Sequence, residues 1–319
     1  MAQSMTVSKT EEGTRLLRWF LRHYPGMPQR EFYKLCRGGQ IRVNSSRVRG
    51  NEILRAGDTV RIPPTIVAYQ TAAPKAEGGD RFSLTDLEEL RKCIIHDDDD
   101  IVVLNKPAGL AVQGGTGIRK SVDKMVAAMY PYDKISLVHR LDRETSGVLV
   151  VAKNQMTAQN LARAFQDKTA HKEYLALLSG HVAPSRGVID NYLIKGAVVD
   201  GPARIDGGQR PQRAITEYNV LGVAGDLTWI SYSPKTGRTH QLRIHSARSL
   251  NAPIVGDTLY GAPVRMDPAL SSLMSTNHLF LFAHKITFQH PRTGRMLTLR
   301  ATVPEFMTPI LKFLEFKIP

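Results

Sequence analysis

The string His139-Arg140-Leu141-Asp142-Arg143-Glu144-Thr145-Ser146-Gly147 runs directly into the apolar residues 148–152 and constrains the fold more than any other stretch. The apolar run reads as a buried strand. The loop feeding it carries one acid, Asp142, among three potential cations, His139, Arg140 and Arg143. Nearby positive charge favours an ionised carboxylate. A charged acid in surroundings that attract phosphates points to chemistry on RNA or a nucleotide. A loop pinned by an Asp–Arg ion pair would explain an isolated Asp-Arg dipeptide equally well. The number of specified positions in a row sets this string apart.

Charge narrows the class of partner. The chain has 319 residues and a net charge of +14, which points to a polyanion. Residues 1–63 hold 12 Lys/Arg against 5 Asp/Glu, so half of the excess sits in about a fifth of the chain. Such a compact basic module favours nucleic acid over a generally solvated basic surface or an anionic membrane patch. No apolar stretch is long enough to cross a bilayer. The opening residues lack the basic-then-apolar pattern of a signal peptide. Cys36 and Cys93 cannot make a disulfide framework or a CxxC metal site. These features predict a cytoplasmic protein, expected as a monomer.

The pattern predicts four segments: a flexible tail over 1–13, a small basic domain over 14–63, a linker over 64–84 and a large domain over 85–319. In the small domain, 14–24 reads as an amphipathic helix with Leu16, Leu17, Phe20 and Leu21 inward. Pro28 starts a second helix with Phe32, Leu35 and Cys36 inward, and Gly38-Gly39 stops it. Short strands follow at Ile41–Val43 and near Val60 and Ile62. The linker is marked by Pro63, Pro64, Pro74, Gly78 and Gly79. Beyond it, Asp97–Asp100 reads as a solvated hairpin turn. Residues 157–166 read as a helix with Leu161 and Phe165 inward, and 172–177, 214–221 and 228–233 as strands. Thr239 is the expected cap of a helix carrying His240, Arg243 and Ile244. His240 and His245 stand five apart without HExxH spacing, which argues against zinc.

Several segments together resemble the RluA family of pseudouridine synthases. They are the HRLD…TSG string, Asn105-Lys106-Pro107-Ala108-Gly109-Leu110, Tyr174 in its K-x-Y-x-A setting, and residues 236–245 (TGRTHQLRIH). The match extends through 253–257, 260–261 and 278–284, nearly the whole chain. The basic domain resembles the small RNA-binding domain shared by a ribosomal small-subunit protein and many RNA-modifying enzymes.

The resemblance implies an α+β fold: a large mixed, mainly antiparallel sheet with a central cleft, plus a small N-terminal α/β RNA-binding domain. It implies isomerisation of uridine to pseudouridine in large-subunit ribosomal RNA, with no cofactor and no metal. Asp142 is the essential carboxylate, either attacking the sugar or abstracting a sugar proton. Arg243 is its expected ion-pair partner, with Arg238 the alternative. Tyr174 stacks on the uracil and is a candidate base at carbon 5. Leu242 or Ile244 forms the opposite apolar wall, and Arg140 fills the space left by a flipped base. Lys106-Pro107 reads as architectural. Arg30, Lys34, Arg37, Arg42 and Arg47 face RNA. The alternatives are the same chemistry on transfer RNA, or a non-catalytic RNA-binding or ribosome-assembly factor. Joint retention of Asp142, Tyr174 and Arg243 favours the enzyme.

Overall fold

The computed structural model describes residues 3–24, 27–69, 82–115, 117–194, 197–199, 201, 210–261, 272–273 and 278–319. Contacts divide the chain into two compact units, one of residues 1–82 with 126–134 and the other of 83–125 with 135–319.

In the first unit, strand β1 (Gln3–Thr6) is followed by helices α1 (Leu16–His23) and α2 (Gln29–Arg37) and strands β2 (Arg42–Val43), β3 (Ser46–Arg47) and β4 (Thr59–Ile62). The four strands form a sheet in the order β1-β4-β2-β3. The amphipathic reading of the helices holds where it matters: Leu16, Phe20 and Leu21 from α1 and Phe32, Leu35 and Cys36 from α2 are buried. They form one core with Trp19, Val60 and Ile62. The expected tail over 1–13 is corrected. Residues 3–6 pair antiparallel with residues 59–62, because Met5 packs against this core and Val7 is buried in it. The expected linker is corrected at both ends. Residues 64–69 form a 3₁₀ helix with Ile66 buried in the same core. Ser83 already caps helix α3 (Leu84–Lys92), its hydroxyl accepting from the Asp86 N–H. The middle of that segment, with Pro74, Gly78 and Gly79, lies outside the described residues.

The second unit is built on one eleven-stranded sheet. In chain order its elements are β5 (Ile94–Asp97), β6 (Ile101–Lys106), α4 (Val122–Met129, its end falling in the first unit), β7 (Ser136–Leu137), β8 (Ser146–Ala152), α5 (Gln155–Gln166), β9 (His171–Ser179), β10 (Arg186–Ile194), β11 (Ala197–Val199), β12 (Gln212–Ala224), β13 (Leu227–Pro234), α6 (Gln241–Ile244), β14 (Leu281–Gln289) and β15 (Met296–Arg300). The path across the sheet is β11-β10-β12-β13-β9-β14-β8-β6-β5, with β15 beside β14 and β7 beside β8. Strand β8 is buried at every position, as its apolar run requires. Long antiparallel pairings dominate, and β8 joins β14 in parallel.

That parallel junction explains the glycine closing the HRLD…TSG string. Gly147 sits opposite Ala283 with φ +111, and a Cβ there would meet the Ala283 carbonyl oxygen at 2.2 Å. Only glycine tolerates both the dihedral and the approach. The two halves of the sheet therefore meet on the residue next to the Asp142 loop.

The acidic run Asp97–Asp100 does turn between β5 and β6, but it is not simply solvated. Asp100 is buried, bonded by Asn154 and Thr157 and approached by the Arg292 guanidinium at 2.6 Å. Asp98 accepts from the N–H groups of Asp100 and Ile101 and contacts His96 and His290. The buried Lys153 ammonium bonds Asp97 and the Asp98 carbonyl. The run is an internal ion network.

Gly147→Ala is expected to destabilise the protein by about 3 kcal/mol or more, the range reached when a strained dihedral coincides with a backbone clash. Chemical denaturation should show a lower midpoint. A midpoint equal to the parent's would show that the junction relaxes freely.

Candidate active site

A cleft of about 350 Å³ opens in the second unit, within the size range of small-molecule sites. Asp142 lines it from the loop before β8, Tyr174 from β9, and Arg238, His240, Leu242 and Arg243 from the segment entering α6. Arg140 also lines it and is exposed. The geometry brings together five of the six expected active-site residues. The sixth, Ile244, packs instead with Leu193 and Ala214. On a helical turn, residues 242 and 244 point to different sides, so Leu242 supplies the apolar wall, joined by Leu281.

The cations adjacent to Asp142 in sequence are not its partners. His139 is half-buried, its Nε2 accepts from the Val150 N–H at 2.9 Å, and burial pushes its pKa down to about 3. It is a neutral packing group against Phe165, with ring centroids 4.7 Å apart. Arg143 donates through Nε to the Gly109 carbonyl at 3.0 Å and faces Glu144 at 3.5 Å. The nearest basic group to the Asp142 carboxylate, among the described residues, is His240, with Nε2 4.0 Å from Oδ1.

The expected direct ion pair between Arg243 and Asp142 is also corrected. Arg243 donates through Nε and Nη2 to the two carboxylate oxygens of Asp257, at 2.8 and 2.6 Å. The Asp257 side chain is fully buried and that of Arg243 is 6% exposed. Burial opposes both charges, yet the two-pronged hydrogen bond outweighs it: Asp257 is held below the usual carboxylate range and Arg243 above its ordinary value. The N–H groups of Leu259 and Tyr260 also bond Asp257. Asp142 acts on Arg243 through its charge alone. Arg238, the alternative partner, donates to the Arg213 carbonyl at 3.1 Å. A planar guanidinium commits both prongs to the carboxylate that best matches its fork, and Asp257 is that carboxylate.

The segment carrying these residues also starts differently from expectation. Thr239 does not cap α6. His240 does, with left-handed φ 54, its Nδ1 2.9 Å from the Tyr260 hydroxyl. The Gln241 side chain orders the turn by accepting from Thr236 and the Arg238 N–H and donating to Ile215 and Thr216. His245 is buried between Thr216 and Asn191.

Two groups shape the reactive surroundings. Burial, and then the charge of Asp142, push the Tyr174 phenol well above its usual range, so the ring enters any reaction as a neutral phenol. Lys106, fully buried, donates to the carbonyls of Pro107, Leu110 and Arg143, each at 2.9 Å. Burial lowers its pKa to about 7 against the raising influence of Glu144 and Asp142. The Lys-Pro motif thus clamps one loop to the backbone of the residue after Asp142.

In the first unit, Arg30, Lys34, Arg37 and Arg47 are exposed and Arg42 is half-buried. Lys34 faces Glu31 at 3.6 Å. Arg42 stands directly opposite both Arg47 and Arg61. Like charges opposite each other destabilise a sheet, so this ladder of three arginines favours an anionic occupant. Arg61 was missed in the sequence. The alternation Val60-Arg61-Ile62, with its neighbours buried, is the signal that would have found it.

A mainly antiparallel sheet with an acid, a tyrosine and an arginine around one cleft defines a class of RNA-modifying enzyme, and the comparisons agree. The family described as RNA pseudouridylate synthase matches residues 100–248. The chain is 35% identical to ribosomal large subunit pseudouridine synthase C of Haemophilus influenzae over 98% of this chain and 94% of that one. It is 33% identical to the protein of the same description in Escherichia coli, over 98% and 96%. The solved human RNA pseudouridylate synthase domain containing 4 superposes with a TM-score of 0.63 at 28% identity, covering 74% of this chain and 97% of that one. The chain belongs to the pseudouridine synthase family and is an RNA pseudouridine synthase.

Arg243→Met should strand the buried Asp257 carboxylate and cost about 3–5 kcal/mol. Adding Asp257→Asn should recover most of that stability, because no buried charge then lacks a partner. Activity should stay low in both variants, since each lacks the positive charge acting on Asp142. Thermal melts with single-turnover rates on the same samples check this. Full activity in the stabilised double variant would reduce Arg243 to a structural role.

Proposed function

We propose that this enzyme isomerises specific uridines to pseudouridine in large-subunit ribosomal RNA, in the cytoplasm and as a monomer, with Asp142 as the essential carboxylate. The convergence of Asp142, Tyr174 and Leu242 on one cleft carries this reading, and the curated relatives named for large-subunit modification supply the substrate class. No helix among the described residues is long and apolar enough to cross a membrane.

The reaction is an isomerisation, so it needs no external reactant. The bond from N1 of uracil to the sugar breaks, the base turns, and carbon 5 bonds to the sugar. Carbon 5 then loses its proton and N1 gains one. The target base must leave its stack to reach the cleft. There the Tyr174 ring and Leu242 offer apolar faces for the uracil. Asp142 lies at the sugar, its charge supported by Arg243 through space. Arg140, exposed at the cleft edge, holds phosphate and occupies the place the base vacates. Because the Tyr174 phenol is held neutral, its first contribution is a stacking face. As a neutral phenol it could take the carbon 5 proton only by handing on its own hydroxyl proton in the same step, N1 of the uracil being the group that must gain one. The arginine ladder of the first unit gives sequence-independent affinity for the RNA backbone.

Asp142→Asn keeps the size of the side chain and removes its charge. Pseudouridine formation on large-subunit RNA should fall below detection while RNA binding stays within a few-fold of the parent. Near-normal turnover would overturn the assignment. Mapping of pseudouridines in ribosomal and transfer RNA from cells with and without the gene tests the substrate: loss of large-subunit sites is expected, and loss confined to transfer RNA would redirect the reading.

Arg47→Ala with Arg61→Ala should weaken binding to ribosomal RNA and flatten its dependence on salt, because fewer counterions are released. The single-turnover rate at saturating enzyme should be unchanged. An unaltered salt slope would show that the ladder does not touch RNA.

A further inference from the structure

Beside the uridine cleft lies a smaller cavity of about 70 Å³ that shares Phe165, Lys172 and Pro234 with it. Its other polar walls include Lys168, His171 and Lys235, and none of its lining residues is acidic. It has room for a phosphate group.

The lysines differ in how they are satisfied. Lys235 bonds Glu217 at 2.7 Å. Glu173, next to Lys172 in the chain, is turned to Lys285 at 2.9 Å. Neither Lys168 nor Lys172 has a carboxylate within ion-pair distance among the described residues. Lys172 is half-buried, with its ammonium 5.7 Å from the centre of the Phe165 ring and 3.9 Å from where a Cβ on Gly237 would lie. Burial lowers its pKa. On β9, residues 172 and 174 share a face, and both Lys172 and Tyr174 line the large cleft. Lys168 follows the end of α5 with left-handed φ 59, a conformation that favours glycine or asparagine at this place. A half-buried cation without a counter-charge is unfavourable until an anion arrives.

We propose that this cavity is a phosphate site, in which Lys172 and Lys168 hold a backbone phosphate of the RNA strand next to the uridine in the cleft. The inference rests on the RNA reading above. It gives the cleft a second point of attachment, fixing the direction in which the strand leaves the active site. Lysine suits the task as a compact point charge.

The test uses full-length protein carrying Asp142→Asn, so that binding is measured without turnover, and a large-subunit ribosomal RNA fragment over a series of KCl concentrations. Adding Lys168→Ala and Lys172→Met should weaken binding about tenfold at low salt. It should also reduce the slope of log affinity against log salt by about 1, the loss of one phosphate contact. Lys172→Arg should restore the slope. Lys312→Ala, which removes an exposed charge on the helix Thr308–Phe313, should leave it unchanged. Inorganic phosphate should compete at this site only weakly, since it lacks the tethered strand; full displacement of RNA by millimolar phosphate would show a free-anion site and overturn the proposal. Lys168→Ala alone, at an exposed position, guards against misfolding of the double variant and should show part of the loss. Equal slopes in folded variants overturn the phosphate site. A parent with no salt-dependent affinity for the RNA overturns the RNA reading, and the phosphate site with it.

Discussion

The Lys106 ammonium is the interaction on which the catalytic loop depends. The group lies where water cannot reach and three backbone carbonyls replace its hydration, while burial lowers its pKa to about 7. One belongs to Arg143, the residue after Asp142. The Gly109 N–H bonds the same carbonyl at 2.9 Å, and the Arg143 side chain returns a bond to Gly109. The Lys-Pro loop and the HRLD loop are thus laced together by backbone contacts. A catalytic carboxylate must be held to within a fraction of an ångström, and here the backbone of the next residue is clamped while the nearest basic group among the described residues, His240, stands 4.0 Å from the Asp142 carboxylate.

That division of labour extends to the electrostatics. A guanidinium bonded straight to Asp142 would support its charge and also occupy its oxygens. Here Arg243 is bonded to Asp257 and reaches Asp142 only through the low-dielectric space between them. Asp257 in turn is held by two N–H groups, and the Tyr260 ring lies under the guanidinium at 5.4 Å. The positive charge is therefore fixed in place by partners of its own, and Asp142 remains open to the cleft. A preorganised charge of this kind costs no rearrangement when the reaction occurs.

Much of this was legible in the sequence where period and burial act locally. The helix at Gln155–Gln166 and the strands around 172–177, 214–221 and 228–233 follow from apolar spacing, although β12 and β13 run longer because their hairpin pairs beyond the apolar core. The cleft residues Asp142, Tyr174, Arg140, Leu242 and Arg243 were legible through motif resemblance. What was not legible is pairing over distance. Arg243 and Asp257 are 14 residues apart, and nothing in the spacing says that the arginine's fork fits that acid and not Asp142. The same holds for Asp97–Asp100. Four adjacent acids look solvated in one dimension, yet Lys153 from just beyond β8 and Arg292 from the turn between β14 and β15 arrive to neutralise them. The cap of α6 failed for a related reason. A threonine beside a histidine looks like a cap, but the Gln241 side chain had already satisfied the turn.

The net charge of +14 acquires a structural meaning once these pairings are separated. Cations in the interior are each committed: Lys106 to carbonyls, Lys153 to the acidic turn, Arg243 to Asp257. None of them contributes to attraction at a distance. Among the described residues, charge without a carboxylate partner lies elsewhere, at Arg47 and Arg61 beside Arg42, which itself donates to the Gly39 and Ser45 carbonyls, and at Arg140, Lys168 and Lys172 around the cleft. Repulsion among such groups destabilises the free protein slightly and is relieved only by a polyanion. The excess charge is therefore a property of surfaces left unpaired, and it is present in both units. On the proposed function, sequence preference comes from the cleft, where the base would fit between Tyr174 and Leu242.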